Sequence, residues 1–142
     1  MNDLDVHVYD SLQEEEKKIR EDVFVKEQGF HDEFDERDQH CLHMILYKDS
    51  IPAGVCRFFE DEKEAHTWII GRVCVVKEYR KDHLGSVLLK YAEEEIRKRG
   101  GRKIRLGAQE RASAFYVKNG YHLTDDRYMD EYCPHVMMER NI

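Results

Sequence analysis

From Arg72 to Leu106 the sequence spells out a strand, a tight turn, a long helix and a second strand. The apolar run Val73-Cys74-Val75-Val76 ends in Lys77-Glu78-Tyr79, and Arg80-Lys81-Asp82-His83-Leu84-Gly85-Ser86 leads straight into a helical pattern. Leu84, Val87, Leu88, Tyr91, Ala92 and Ile96 recur at helical spacing, which predicts a helix from about His83 to Arg99 with one apolar stripe. Glu93, Glu94 and Glu95 each precede Arg97, Lys98 and Arg99 by four residues, the favourable orientation for exposed ion pairs and the mark of a solvated face. Gly100-Gly101 stops the helix through its access to left-handed backbone angles, and Lys103 to Leu106 reads as the next strand. A crossover of this length suits a parallel βαβ unit. The turn also has a chemical consequence. A helix that opens directly after a strand presents unpaired amides and the positive end of its dipole, a ready site for a phosphate or pyrophosphate.

The rest of the chain fits one domain of 142 residues, long enough for a single sizeable core. Two prolines, scattered glycines and no low-complexity stretch argue against a linker. A net charge of -7 argues against generic attraction to nucleic acid or to an anionic membrane. It favours a cationic substrate, although acidic surfaces also serve solubility. No run has the length of a membrane span, and the acidic, polar first residues are unlike a signal peptide. Cys41, Cys56, Cys74 and Cys133 are widely spaced, which reads as buried thiols in a cytoplasmic protein and implies no disulfide framework.

Asp5 to Tyr9 predicts a first strand. Ser11 with Glu14 forms a capping-box pattern for a helix whose apolar side is Leu12, Ile19, Val23 and Phe24 and which runs to Val25 or Glu27. His31 to Gln39 is acidic and irregular. His40 to Tyr47 and Ala53 to Phe59 read as a hairpin around Lys48-Asp49-Ser50. Ala65 to Val76 is almost continuously apolar, as a central strand covered on both faces should be. Arg111 to Lys118 predicts a short helix closed by Asn119-Gly120, and the tail one or two strands with His135 to Glu139 the best of them. The sum is an α/β (α+β) chain with a mixed sheet and helices on both faces.

These pieces, in this order, resemble the GNAT superfamily of acyl-CoA-dependent N-acetyltransferases. Its strand, Arg/Gln-x-x-Gly-x-Gly/Ala turn and helix look like Arg80-Lys81-Asp82-His83-Leu84-Gly85. Its second segment looks like Leu106-Gly107-Ala108-Gln109 through Ala112, Phe115-Tyr116 and Gly120-Tyr121. Val23-Phe24-Val25-Lys26-Glu27-Gln28-Gly29 and Pro134-His135-Val136-Met137-Met138 are similar to the small bacterial YjcF/ElaA-like branch. The resemblance covers nearly the whole chain. One departure is His83, which stands where the family usually has the glycine that lets the diphosphate approach the backbone; Arg80 and Gly85 are retained. The implied fold is a mostly antiparallel sheet with a splayed parallel strand pair at the cofactor cleft.

The resemblance implies acetyl-CoA as co-substrate and no metal. Backbone groups of Val73, Cys74 and Val75 would pair with the pantetheine amides. Backbone of Arg80, Lys81, Asp82, His83, Leu84, Gly85 and Ser86 would hold the pyrophosphate, with a charge-assisted contact from the Arg80 side chain. Gln109 stands where many relatives carry an asparagine bonded to the pantetheine arm, and Ala112 and Phe115 follow in the same segment. Tyr116 is the implied general acid to the CoA thiolate; its competing reading is a core aromatic beside Phe115. A backbone N–H on the central strand, that of Val73, would polarise the thioester carbonyl.

A free alkyl amine has a pKa near ~10.4, so a base or a desolvated site must supply its neutral form. Glu27, Glu36, Asp38, His43 and His135 are the candidates, with Glu27 and His135 favoured on the acceptor side. Glu27 has a structural reading too, as an ion-pair partner of Arg57 or Arg72, unusual charges in apolar strands; those arginines are alternatively a site for an anionic acceptor group. His40-Cys41-Leu42-His43, with His31 nearby, invites a metal reading, but His40 and His43 would point to opposite sides of an ideal strand and no second cluster has matching spacing. Cys74 is either a buried hydrophobe or a partner for a mixed disulfide with CoA. No activated nucleophile is evident, which favours direct transfer to a small-molecule or peptide amine. The other class is a non-catalytic acyl-CoA sensor or interaction module on the same scaffold, and an exposed late strand offers a route to a homodimer.

Overall fold

The structure is a computed structural model that describes residues 3–142. Its strands form one seven-stranded sheet in the order β1-β2-β3-β4-β5-β7-β6. They are β1 Leu4–Tyr9, β2 Leu42–Lys48, β3 Ile51–Glu60, β4 Thr67–Val75, β5 Lys103–Gln109, β6 His122–Asp130 and β7 Cys133–Asn141. The sheet is mostly antiparallel, with one parallel pair, β4 with β5. The α-helices are α1 Glu14–Arg20, α2 Leu84–Lys98 and α3 Ser113–Lys118. Backbone contacts group the chain into two compact units, Met1–Phe59 with Arg72–Ala92 and Glu60–Gly71 with Glu93–Ile142, so β4 and α2 contribute residues to both.

In the first unit β1 alternates, with Asp5 and His7 exposed between the half-buried Leu4, Val6 and Val8. Met44, Ile45, Leu46, Val55, Cys56 and Phe58 are almost wholly buried on β2 and β3. The first helix departs from expectation at both ends. Ser11 does not cap it: Gln13 is the N-cap, and its side chain turns back to the Ser11 carbonyl and hydroxyl, both at 3.1 Å. Glu14, Glu15 and Glu16 fill the first turn, where carboxylates suit the helix dipole. After Arg20 the chain widens into a π-helix, Glu21–Glu27, with Gln28 N–H reaching the Val23 carbonyl five residues back, and Gly29 closes it at φ 78°. The irregular acidic segment contains a 3₁₀ turn, Glu36–Gln39, closed by a capping box between Asp35 and Asp38.

In the second unit β5 runs three residues beyond the expected Leu106, because β7 pairs with it as far as Gln109↔His135. The parallel pairing with β4 is much shorter, from Thr67↔Lys103 to Ile70↔Leu106. Two residues on, Arg72 takes a left-handed φ of 54°, so the predicted continuous strand is kinked where the parallel pair ends. Of the three ion pairs expected along α2, Glu95–Arg99 forms at 3.0 Å. Glu93 turns inward instead, accepting from the Tyr121 hydroxyl at 2.8 Å and from Arg140 at 3.0 Å. β6 is the sheet edge beyond β7, with Leu123, Tyr128 and Met129 exposed.

Candidate active site

Strand alternation decides which backbone groups of β4 are available in the first unit. Val76 N–H donates to the Ala53 carbonyl at 2.8 Å, and the Cys74 carbonyl lies beside Gly54, so Cys74 and Val76 face β3. Val73 and Val75 therefore turn their backbone groups away from β3. This corrects the expectation for Cys74, whose backbone belongs to the β3 side. Its side chain is buried, and burial pushes the thiol pKa well up. A protonated, enclosed thiol does not suit a mixed disulfide with CoA.

Beyond Val76 the chain forms a 3₁₀ turn, Lys77–Asp82, and then α2. His83 joins them at φ 57° and ψ 27°, the left-handed region. A glycine in this place would satisfy a backbone requirement as well as leave room, because L-residues reach this region only at a cost. The amides of Leu84, Gly85 and Ser86 follow in the first turn of a fifteen-residue helix, where no carbonyl one turn back can accept them. Of the two acidic residues of the turn, Glu78 and Asp82, the second is neutralised by Lys48, whose ammonium also lies 5.3 Å from the centre of the Tyr79 ring.

Arg80 is tied down. Its Nε donates to the Val75 carbonyl at 3.0 Å, and Nη1 and Nη2 donate to the two oxygens of Glu27 at 2.9 and 2.8 Å. Glu27 thus pairs with Arg80, and neither with Arg57 nor with Arg72. The hydrogen bonds from Arg80 hold its pKa below the ordinary glutamate value. A fork-bound carboxylate with a lowered pKa is a poor proton acceptor, so the geometry gives Glu27 the task of anchoring Arg80.

The charges of β3 and β4 belong to a buried network in the same unit. Arg20, fully buried, donates to Glu33 at 2.9 Å, Glu16 at 2.9 Å and Asp38 at 2.7 and 3.0 Å. Arg57 donates to Asp35 at 2.7 and 3.1 Å and to Asp38 at 3.0 Å. Arg72 lies 3.0 Å from Glu33, and its bonds to the Glu33 carbonyl brace the left-handed residue. His43 sets Nδ1 2.9 and 3.0 Å from the two oxygens of Glu16 and Nε2 2.9 Å from the Asp38 carbonyl. With acceptors on both nitrogens, His43 is an imidazolium. Four carboxylates (Glu16, Glu33, Asp35, Asp38) then balance four cations (Arg20, Arg57, Arg72, His43). Burial opposes the charge on His43, but hydrogen bonds to Cys41 and Glu16 raise its pKa to about 10. Burial likewise works against ionised Asp38, and Arg20 and Arg57 overcome it, lowering its pKa to about 2.

Asp38 and His43 are therefore structural, and the arginines are occupied from within. Asp38, Cys41 and His43 do bring ligand-type atoms within 4.8 Å of one another. The Asp38 oxygens and both His43 nitrogens already hold hydrogen-bond partners, so this cluster lacks the spare lone pairs of a metal site. His40 lies outside β2 and Glu36 is exposed on the 3₁₀ turn.

In the second unit Gln109 ends β5, and its side-chain oxygen Oε1 accepts from Arg111 Nε at 2.8 Å. Ala112 is the N-cap of α3, and Phe115 and Tyr116 follow within it. Tyr116 is buried, edge-on to Phe115 at 5.0 Å and to Tyr121 at 6.0 Å. Burial beside Glu93 raises the pKa of Tyr121. His135, on β7 opposite Gln109, donates Nδ1–H to the Cys133 carbonyl at 3.0 Å. A carbonyl only accepts, so Nδ1 carries a proton and Nε2 is the nitrogen that could serve as a base. The Tyr128 ring stacks on His135 at 5.3 Å and 27°, a contact without signal in the local sequence because the partners meet only through the β6–β7 register.

The acetyltransferase (GNAT) domain model matches residues 8–142, and the chain belongs to this family. It is 31% identical over 126 residues to the Bacillus subtilis N-acetyltransferase YjcF, itself uncharacterised, covering 87% of this chain and 88% of YjcF. A crystal structure from Lactobacillus plantarum, assigned as an N-acetyltransferase, superposes with a TM-score of 0.86 at 29% identity over 97% of each chain. A Bacillus subtilis acetyltransferase solved with CoA shares the fold, with a TM-score of 0.73 at 15% identity over 99% of each chain.

Proposed function

We propose that the chain, acting as a single transferase domain, moves an acetyl group from acetyl-CoA to a primary amine by direct attack. The observation that carries this reading is the turn after β4. A left-handed residue there swings the chain into a long helix and leaves the amides of Leu84, Gly85 and Ser86 for a diphosphate, beside an Arg80 fixed by Glu27 and the Val75 carbonyl. Val73 and Val75 are the candidates for the pantetheine amides, Gln109, Ala112 and Phe115 for the remainder of the arm. The CoA complex of the fold neighbour supports the choice of cofactor.

His135 takes the amine proton on Nε2, and the neutral nitrogen attacks the thioester carbon. The Val73 amide stabilises the oxyanion. On collapse the carbon–sulfur bond breaks, the thiolate takes the Tyr116 proton, and the proton lost from nitrogen restores the phenol. The products are an N-acetylated amine and free CoA thiol. Glu27 holds Arg80 and has no proton to move.

Tyr116→Phe tests the assignment by thiol release. We expect turnover to fall by about 10²-fold, as for loss of a general acid, with acetyl-CoA affinity unchanged. Unchanged turnover would remove Tyr116 from the chemistry. Cofactor binding without transfer to any amine would leave an acyl-CoA sensor as the better description.

A further inference from the structure

We infer that Tyr128 is a positioning residue for His135, and that Gly107 is glycine so that Tyr128 can lie across β7. The inference rests on the reading of His135 as the acceptor-side base and names the parts that orient it. Three strands of the second unit contribute. Tyr128 on β6 is paired with His135 on β7, and Met137, two residues along β7, is paired with Gly107 on β5. The Tyr128 ring stacks on the imidazole at 5.3 Å and 27°. Its hydroxyl occupies the place a Cβ on Gly107 would take. That tyrosine therefore spans β7 from edge to β5, and only a residue without a side chain at 107 leaves it room.

Two constraints then fix the imidazole. The Cys133 carbonyl holds the proton on Nδ1, and the tyrosine ring covers one face. His135 is 8% exposed, and its Nε2 is not among the buried unpaired atoms of the described residues. A buried ring held in one tautomer and one orientation is the arrangement a general base needs, since both are set before the amine arrives. Tyr128 touches no reacting atom in this account; it acts through His135. Its own exposure, 41%, is more than an ordinary core aromatic shows.

The test compares Tyr128→Leu, Tyr128→Phe and Gly107→Ala. Gly107→Ala leaves both rings chemically intact, and the obstacle it meets is the tip of a side chain that can swing away. The His135 resonances, assigned by their loss in His135→Gln, report the stack through ring-current shifts and the tautomer through the imidazole nitrogen shifts. Tyr128→Leu and Gly107→Ala should abolish the ring-current shift and lower kcat on the order of tenfold with the acetyl-CoA KM unchanged, as expected for a misplaced catalytic group. Tyr128→Phe should retain the shift and restore most of kcat. If the His135 resonances and kcat are the same in Tyr128→Leu as in the parent while His135→Gln is inactive, the positioning inference is overturned. If His135→Gln transfers acetyl groups at the parent rate, the base assignment itself has failed, whatever the spectra of the Tyr128 variants show.

Discussion

Arg20 shows how a single side chain decides the state of its neighbours. Its guanidinium answers three carboxylates, Glu16, Glu33 and Asp38, none of them more than 5% exposed. Removing it strands those charges without solvent, and breaking a buried network in this way costs about 3–5 kcal/mol. We expect Arg20→Ala to lose stability of that order in urea unfolding, and a loss below about 1 kcal/mol, the range of surface pairs, would contradict the network account. Little of this was legible in the sequence. Arg57 and Arg72 stood out as charges in apolar strands, but their partners lie 19 to 39 residues away in the acidic segment, and no local pattern pairs them. The same distance hid the partner of Glu27, 53 residues along at Arg80. Tyr116 and His135, by contrast, could be singled out from their motifs, whereas Tyr128 emerges only once the strands are in register.

At the scale of elements, α2 and the turn before it were the most legible parts. Helical spacing placed α2 within a residue of its observed ends, because five apolar side chains, Leu84, Leu88, Leu89, Ala92 and Ile96, are buried along one stripe. What the pattern missed are features set by hydrogen bonds rather than by polarity. The π-helix after α1 has the same apolar side as an α-helix, and only the i to i−5 bonds distinguish it. The kink at Arg72 is invisible in a run of apolar residues. His83 is the element-scale weakness, since a left-handed non-glycine costs about 1–2 kcal/mol. His83→Gly should therefore stabilise the protein by about 1 kcal/mol, net of the entropy glycine adds to the unfolded chain, and should tighten acetyl-CoA binding. Unfolding and binding measured on the same variant check both halves. A less stable variant would mean that the His83 side chain supports the turn.

For the whole molecule, pH dependence follows from the shifted groups. Asp38, at about 2, together with Asp35 and Glu27, which ion pairs also lower, contributes stability that is present above the unfolded carboxylate range near ~4 and lost as pH falls through the folded values. His43, at about 10, acts in the opposite sense: its contribution is full below ~6.5 and disappears as pH rises from there through its folded value. Stability should peak between roughly pH 5 and 6.5, and urea midpoints from pH 3 to 10 would show a decline on both sides. A midpoint still rising above neutral pH would argue against a charged His43. The internal network leaves most of the net charge of -7 in place, because Glu16, Glu33, Asp35 and Asp38 are matched by Arg20, Arg57, Arg72 and His43, of which only His43 stands outside that count. Strand order was only partly legible. The insertion of β7 between β5 and β6 follows from long-range pairing that no local period encodes.

The turn from Lys77 to Ser86 as a cofactor site is the central claim, and calorimetric titration with acetyl-CoA, with desulfo-CoA alongside, tests it most directly. Both ligands carry the diphosphate, so both should bind, acetyl-CoA with low-micromolar or tighter affinity. No binding of either would contradict the cofactor site, and with it the transferase reading.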